Sequence, residues 1–185
     1  MVARAARGDA DAFRALVSDY QRLVGHVVFR MIRDAAERED VCQDVFVRVY
    51  RKLHSFRFES KLSTWIARIA YRTCLNHLSK KRMPLTEDVA PGDAVMVDAW
   101  AGVITSPADE AEAREVRAFV RERVETLPLA YRTALTLHYL EDMSIPEICD
   151  VMDVPAGTVK SHLFRGRALL RQQLLARYAA GELRP

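Results

Sequence analysis

The segment from Ser144 to Leu170, SIPEICDVMDVPAGTVKSHLFRGRALL, constrains the fold more than any other part of the chain. Ser144 and Glu147 have the spacing of a capping box, and the apolar residues that follow recur at helical spacing. Pro155 ends this helix because the residue before a proline is pushed out of the helical region. Gly157 then opens a second helix rich in basic residues. The pattern predicts a helix-turn-helix that lays its second helix in a DNA major groove, although an ordinary helical hairpin with a solvated charged face fits the same spacing.

Charge is distributed unevenly along the 185 residues, although the net charge is only +3. Residues 1–83 carry 17 basic and 9 acidic side chains, residues 84–113 carry none and 7, and residues 114–185 carry 11 and 9. The middle segment also contains helix-breaking prolines and glycines, and no strand-like alternation is long enough to predict a sheet. We therefore predict an all-α chain with two small helical domains, 1–83 and 114–185, joined by a flexible acidic linker, 84–113.

The N-terminal part has the pattern of three amphipathic helices. Asp9 is expected to cap the first helix, which ends near Asp34. The third is expected to start at a Ser63 or Thr64 cap and to run to about Ser79. The inner face of the second helix is predicted to carry Val41, Cys42, Val45, Phe46, Val49, Tyr50 and Leu53.

Aromatic and basic side chains alternate along the connection between the second and third of these helices and on into the third helix. Rings on which bases stack, interleaved with cations that follow phosphates, are typical of single-strand binding. The alternative is that the rings are core and the arginines extend their charged ends into solvent. The residues concerned are Phe56, Phe58, Trp65 and Tyr71 with Arg57, Lys61, Arg68 and Arg72.

Other functional classes have weak support in the sequence. Cys42, Cys74 and Cys149 are far apart and lie within apolar helical patterns, which favours free buried thiols over a disulfide or a redox sensor. Cys74 and His77 resemble half of a zinc site, but no second pair accompanies them. No apolar run approaches the roughly 18 residues of a membrane span, and no signal-peptide core is present, so we expect a cytoplasmic protein without direct membrane insertion. We expect no enzyme activity, cofactor, metal or small-molecule substrate.

Both halves together resemble the sigma-70 family of bacterial RNA polymerase sigma factors, in the small extracytoplasmic-function (ECF) group. In the C-terminal half the matching residues are Leu127-Pro128, Arg132, Met143-Ser144, Glu147-Ile148, Pro155, Gly157-Thr158-Val159-Lys160-Ser161, Phe164-Arg165 and Arg167. In the N-terminal half they are Ala12-Phe13, Asp40, Gln43-Asp44, Phe46, Ser55-Phe56-Arg57, Thr64-Trp65 and Arg68-Ile69-Ala70.

The resemblance implies a role for each half. Asp40, Gln43 and Asp44 match positions that dock on the β′ clamp helices of core polymerase, although their pattern alone suggests only a solvated face. The loop from Phe58 to Thr64 would hold a flipped base of the −10 element. The residues expected to bind the −10 element are Phe58, Ser60, Lys61, Trp65, Arg68, Arg72 and Asn76. Those expected to bind the −35 element are Pro155, Gly157, Thr158, Lys160, Ser161, His162, Phe164 and Arg165.

The implied partners are core RNA polymerase, through its β′ clamp helices and β subunit, promoter DNA, and an anti-sigma factor. Three positions depart from the common family pattern: Arg72, where Asn is frequent, His162, where Arg or Lys is frequent, and Glu59, a negative charge in the base-pocket loop. An autonomous helix-turn-helix regulator is the main alternative, and it would need a dimerisation or ligand domain in the N-terminal half.

Overall fold

The computed structural model describes residues 1–80 and 118–179, and these residues form helices without strands. A single 3₁₀ turn, Leu53–Ser55, follows the third helix. The helices are α1 (Val2–Ala5), α2 (Ala10–Met31), α3 (Ala35–Lys52), α4 (Leu62–Lys80), α5 (118–126), α6 (Leu129–Tyr139), α7 (Ile145–Met152) and α8 (Ala156–Ala179). The all-α prediction is confirmed, while the predicted linker 84–113 lies outside the described residues.

Helices α2, α3 and α4 pack around one apolar core in the N-terminal half. The predicted cap is present, because the Asp9 carboxylate accepts a hydrogen bond of 3.0 Å from the Ala12 N–H. Asp34 caps α3 in the same way through the Ala36 N–H. Side chains of Leu16, Val24, Val28, Val45, Val49 and Ile66 are fully buried in this core.

The predicted start of α4 was two or three residues too late. The helix begins at Leu62, and neither Ser63 nor Thr64 caps it. Thr64 is buried instead, and its hydroxyl donates to a Glu147 carboxylate oxygen at 3.4 Å. The Thr64 hydroxyl therefore takes part in a contact between the two halves of the chain. The sequence around α4 alone does not predict this contact.

The C-terminal half contains the predicted helix-turn-helix, formed by α7 and α8. Ser144 and Glu147 form the expected capping box, in which Glu147 Oε2 accepts from the Ser144 N–H at 2.9 Å. The same oxygen also accepts from the Ser144 hydroxyl at 2.7 Å. Asp153 ends α7 in the left-handed region at φ 59°, which aspartate tolerates better than most residues. Gly166 lets α8 approach α6, since a Cβ there would lie 2.9 Å from Leu135 Cδ1.

The two halves are docked on each other along two pairs of helices, α2 with α6 and α4 with α7. His26 on α2 pairs with Glu141, and Arg30 on α2 pairs with Glu125; all four side chains are largely buried. No pattern in the sequence predicts whether the two halves pack together or apart. None of the helices in the described part of the chain combines the length and apolar character needed to cross a bilayer.

Candidate nucleic-acid interface

A groove of about 530 Å³ lies between α3 and α4 in the N-terminal half. Four of the residues predicted to bind the −10 element, Trp65, Arg68, Arg72 and Asn76, line it. Its other lining residues are Arg48, Lys52, Ser55, Ile69 and Thr73. The groove therefore offers an indole ring and four cationic side chains to one ligand, a combination that suits stacked bases and their phosphates.

Arg48 and Lys52 are groove residues that the sequence predictions missed. They lie four residues apart on α3, so both project from one side of that helix toward α4. Their i, i+4 spacing was visible in the sequence, but the spacing alone does not say which neighbouring helix they face.

The loop before α4 presents a row of aromatic rings beside the groove. The Phe56 ring lies 5.3 Å from that of Trp65 and 4.8 Å from that of Phe58, measured between centroids. Phe58 is 68% exposed and has φ 60°, which is uncommon for an aromatic residue. Local backbone strain of this kind persists where the surroundings hold a residue in place. In this conformation the apolar ring of Phe58 is exposed to solvent.

The two remaining predicted −10 residues lie in the loop before α4, and one of them, Lys61, already has a partner, as does Arg72 of the groove. Ser60 and Lys61 are exposed in the loop. Lys61 Nζ is 3.0 Å from Glu147 Oε1, and Arg72 Nη2 is 3.1 Å from Asp153 Oδ2. Helix α7, which belongs to the C-terminal half, therefore borders the groove.

The N-terminal turns of α8 present a separate exposed surface. Lys160, Phe164 and Arg165 point outward, with Phe164 68% exposed, whereas Val159 and Leu163 are buried beneath them. Pro155 and Gly157 are also exposed, while Thr158 and Ser161 are half-buried. The surface has the mixture of cations, small polar groups and one ring expected of a major-groove reader.

His162 lies at the inner edge of this surface. Its ring is half-buried and packs 5.4 Å from the Tyr131 ring, measured between centroids. Burial, followed by the nearby Arg165 charge, lowers the pKa of His162. The imidazole is therefore mainly neutral at pH 7, which makes it a weak phosphate ligand compared with an Arg or Lys at the same position.

Asp40, Gln43 and Asp44 are all exposed on α3, while Val41, Val45 and Val49 of the same helix are buried. Two exposed apolar residues accompany this polar face: Val47, 46% exposed, and Tyr50, 49% exposed. The predicted inner position of Tyr50 was wrong, because its ring packs edge-on against Phe13 at the rim of the core.

Cys42 and Cys74 do not have the surroundings of reactive thiols. Cys74 is buried, and burial raises its pKa to about 12. Burial also raises the pKa of Cys42 to about 11, with a further contribution from Glu39. Because the thiolate is the reactive form, these two pKa values disfavour the redox-sensor alternative for Cys42 and Cys74. His77, which accompanies Cys74 in sequence, pairs with Glu37 at 2.8 Å.

Comparison with known proteins connects both surfaces to one family. Residues 16–83 match the family model described as sigma-70 region 2, and residues 120–170 match that of sigma-70 region 4. The chain is 38% identical over 177 residues to the RNA polymerase sigma-H factor of Pseudomonas aeruginosa, covering 94% of this chain and 92% of that protein. It is 37% identical over 170 residues to the ECF sigma-E factor of Escherichia coli, covering 90% and 88%.

Two solved structures share the fold. CnrH, in complex with the cytosolic domain of CnrY, has a TM-score of 0.65 at 23% identity and covers 95% of both chains. The sigma factor RpoE of Bartonella quintana, in complex with the anti-sigma factor NepR, has a TM-score of 0.67 at 17% identity, covering 89% of this chain and 98% of that one. The chain described here belongs to the extracytoplasmic-function group of the sigma-70 family, and it is a transcription initiation factor that binds core RNA polymerase and directs it to promoters through their −35 and −10 elements.

Proposed function

We propose that residues 1–83 hold core polymerase and open the −10 element, that residues 114–185 read the −35 element, and that residues 84–113 connect the two. The observation that carries the assignment is the α3–α4 groove, in which Trp65 is surrounded by Arg48, Lys52, Arg68 and Arg72. A groove lined with cations alone would be equally suited to binding double-stranded nucleic acid. The rings in and beside the groove favour an unpaired strand.

In this proposal the groove and the aromatic loop capture a strand that has left the duplex. Extruding a base costs a few kcal/mol of stacking and pairing, which stacking on aromatic side chains can offset. Phe58 is available for such stacking because its ring is exposed. Arg48 and Lys52 join the −10 set of Phe58, Ser60, Lys61, Trp65, Arg68, Arg72 and Asn76.

The −35 element is assigned to the start of α8. Lys160 and Arg165 are exposed cations on one surface with Phe164, and they suit base edges or the adjacent phosphates of a major groove. Thr158 lies in the first turn of α8, and the N-terminal end of a helix favours a phosphate. Pro155, Gly157 and Ser161 complete the contact surface, and His162 is its weakest member because its ring packs on Tyr131.

Core polymerase is assigned to the exposed face of α3. Asp40, Gln43 and Asp44 form a polar acidic surface on the helix, and Val47 adds an apolar contact of the kind found near interface centres. We assign no catalysis to the chain itself, because a sigma factor supplies promoter specificity while the polymerase performs the chemistry. Its place of action is then the bacterial cytoplasm, where polymerase and genome are located.

We also propose that an anti-sigma factor regulates this chain. The Bartonella quintana relative in fold was solved with an anti-sigma factor. A partner of this kind would act by covering the surfaces that polymerase and DNA require.

Run-off transcription tests the function and the groove together. The purified chain would be added to sigma-free bacterial core polymerase on a pool of genomic promoter fragments, and the transcripts sequenced. We expect discrete start sites that share one −35 and −10 pair. The Arg68→Ala variant should lose most of this transcription while retaining core polymerase in co-purification.

Arg171→Ala is the matched control, because Arg171 is exposed on α8 beyond the assigned contact residues. No stimulation by the wild-type chain, combined with retained binding to duplex DNA, would instead favour the autonomous regulator. Normal transcription by core polymerase with the Arg68→Ala variant would refute the assignment of the groove to the −10 element.

A further inference from the structure

Five arginine side chains, drawn from both halves of the chain, lie close together where α2, α3, α5 and α6 meet. Burial, followed by the charges of neighbouring arginines, lowers the pKa values of Arg30 and Arg132 to about 10. Both guanidinium groups stay charged at pH 7. None of the five arginines belongs to the proposed polymerase, −10 or −35 surfaces. We refer to them as the arginine cluster: Arg30, Arg33, Arg38, Arg121 and Arg132.

Glu125 provides negative charge to two buried members of the cluster at once. Arg30 pairs with its carboxylate, and Arg132 Nη1 lies 4.0 Å from Glu125 Oε2. The side chains of Arg30 and Arg132 are only 7% and 4% exposed. A buried charge is costly unless an opposite charge accompanies it. One carboxylate shared by two buried guanidinium groups leaves a local excess of positive charge, to which the nearby Arg33 adds.

Two buried donors of the cluster have no acceptor within the described part of the chain. They are Arg33 Nη1 and Arg132 Nε. Arg33 also forms no ion pair with a described residue, and it is the neighbouring charge with the largest effect on the pKa of Arg132. Buried donors in folded proteins are nearly always hydrogen-bonded. Neighbouring cationic donors of this kind indicate a site for an anionic acceptor.

Hydrogen bonds to backbone carbonyls hold two guanidinium groups of the cluster in place. Arg132 Nη1 donates to the Glu125 carbonyl at 2.7 Å, and Arg38 Nε donates to the Ile32 carbonyl at 2.9 Å. The Arg38 guanidinium also lies 5.1 Å from the centre of the Phe29 ring. Side chains that are ordered before a ligand arrives lose less conformational entropy on binding it. These two members of the cluster are therefore preorganised for a ligand, unlike mobile surface cations.

We propose that the arginine cluster binds a compact phosphate-type oxyanion, with Arg33 and Arg132 as its principal donors. Guanidinium groups pair with phosphate through parallel N–H donors, and phosphate offers several oxygens and more than one negative charge. A single carboxylate would neutralise only one of the cations. Inorganic phosphates and the terminal phosphates of a nucleotide share this chemistry. The site is separate from the DNA and polymerase surfaces assigned above, so its failure would leave those assignments intact.

The test compares the wild-type full chain with Arg33→Gln, which removes one donor group and one charge from the cluster. The matched control is Arg22→Gln, because Arg22 is exposed on α2 and its replacement removes the same charge away from the cluster. Binding of pyrophosphate and of adenosine diphosphate is measured by isothermal titration calorimetry, without magnesium and at constant ionic strength. Pyrophosphate at about 1 mM is too dilute to stabilise the protein by exclusion from its surface, as concentrated phosphate does.

We expect the wild-type chain and Arg22→Gln to bind one pyrophosphate each with the same affinity, and Arg33→Gln to bind it at least about tenfold more weakly. Pyrophosphate at tenfold excess over its Kd should raise the Tm of the wild-type chain by about 3 °C. Equal affinity for adenosine diphosphate would identify the terminal phosphates of a nucleotide as sufficient. Binding of pyrophosphate alone would restrict the site to a free oxyanion.

The wild-type chain would refute the site if it bound no pyrophosphate. Equal weakening by Arg33→Gln and Arg22→Gln would reduce the effect to general attraction by net charge. In chloride alone, Arg33→Gln should be at least as stable as the wild-type chain, because it removes a cation from a cluster of cations. A lower Tm of Arg33→Gln in chloride would contradict the excess of positive charge. Arg33→Lys keeps the charge without the planar guanidinium, and unchanged affinity in that variant would overturn Arg33 as a principal guanidinium donor.

Discussion

At the scale of single residues, Arg165 offers the most direct test of the −35 surface. Its side chain is exposed on the outward side of α8, above the buried Leu163. We expect Arg165→Ala to weaken −35 binding by about 1–3 kcal/mol if the guanidinium contacts a base edge, and to relax specificity at one position. Competition between promoter duplexes that differ at single −35 positions would measure both effects.

The control for this substitution is Arg171→Ala on the same helix. Arg171 is also exposed, and its replacement by Ala removes the same charge. It lies beyond the proposed contact surface. If both variants weaken binding equally across all sequences, Arg165 contributes only general attraction to the DNA backbone.

The ionised Glu147 carboxylate should stabilise the chain, and this stabilisation should be lost measurably at acid pH. The Ser144 hydroxyl, the Ser144 N–H and then Lys61 lower the pKa of Glu147 from 4.5 to about 2. Because the folded pKa is depressed, the stabilisation is present above pH 4.5 and is lost as the pH falls toward 2. We expect Glu147→Gln to cost about 1–2 kcal/mol at pH 6 and progressively less toward pH 2, measured by urea unfolding.

Ser144→Ala provides an internal comparison, since the Ser144 hydroxyl is the largest cause of the lowered pKa. The wild-type chain should lose more stability between pH 4.5 and pH 2 than this variant does. Parallel stability curves for the wild-type chain and Glu147→Gln over that range would show that the carboxylate charge is not what stabilises the helix start.

At the scale of elements, the exposed face of α3 that carries Gln43 and Asp44 is the proposed binding surface for core polymerase. We expect Gln43→Ala/Asp44→Ala to reduce co-purification with core polymerase, because both residues are exposed and neither supports the helix core. Helix content by circular dichroism should stay unchanged. Asp19→Ala/Gln21→Ala is the matched control, since it removes an exposed residue of each same type from α2. Wild-type levels of polymerase binding by the α3 variant would refute the assignment.

The elements themselves were largely predictable because their signals are local. Asp9, the Ser144–Glu147 capping box and the turn at Pro155 each act within a few residues, and each appears where the sequence placed it. The groove was predicted only in part, because α4 supplied residues by its own pattern while Arg48 and Lys52 come from α3. Which residues of two helices share a groove depends on how those helices pack.

At the scale of the whole molecule, the docking of the two halves was outside the reach of sequence reasoning. Its contacts join residues 115 positions apart for His26 and Glu141 and 81 positions apart for Arg72 and Asp153. No helical period or capping rule relates such positions. The burial of the Arg30 and Glu125 charges by this docking was hard to predict from the sequence, because each residue lies within an ordinary amphipathic helix.

The Arg30–Glu125 contact predicts an asymmetric response to mutation. Burial, together with Arg121, Arg132 and Arg38, lowers the pKa of Arg30 to about 10, so cations outnumber the carboxylate around this pair. Glu125→Gln leaves Arg30 and Arg132 buried without that carboxylate and should cost about 3–5 kcal/mol.

Arg30→Met should cost less, because Glu125 keeps Arg132, which lies 4.0 Å away and also donates to the Glu125 carbonyl. Urea unfolding of both variants gives the comparison, and the double variant Arg30→Met/Glu125→Gln should recover part of the loss caused by Glu125→Gln alone. An Arg30→Met variant as unstable as Glu125→Gln would contradict an excess of cations at this contact. The docked halves would then be held by a balanced pair, and neutralising either partner would loosen them equally.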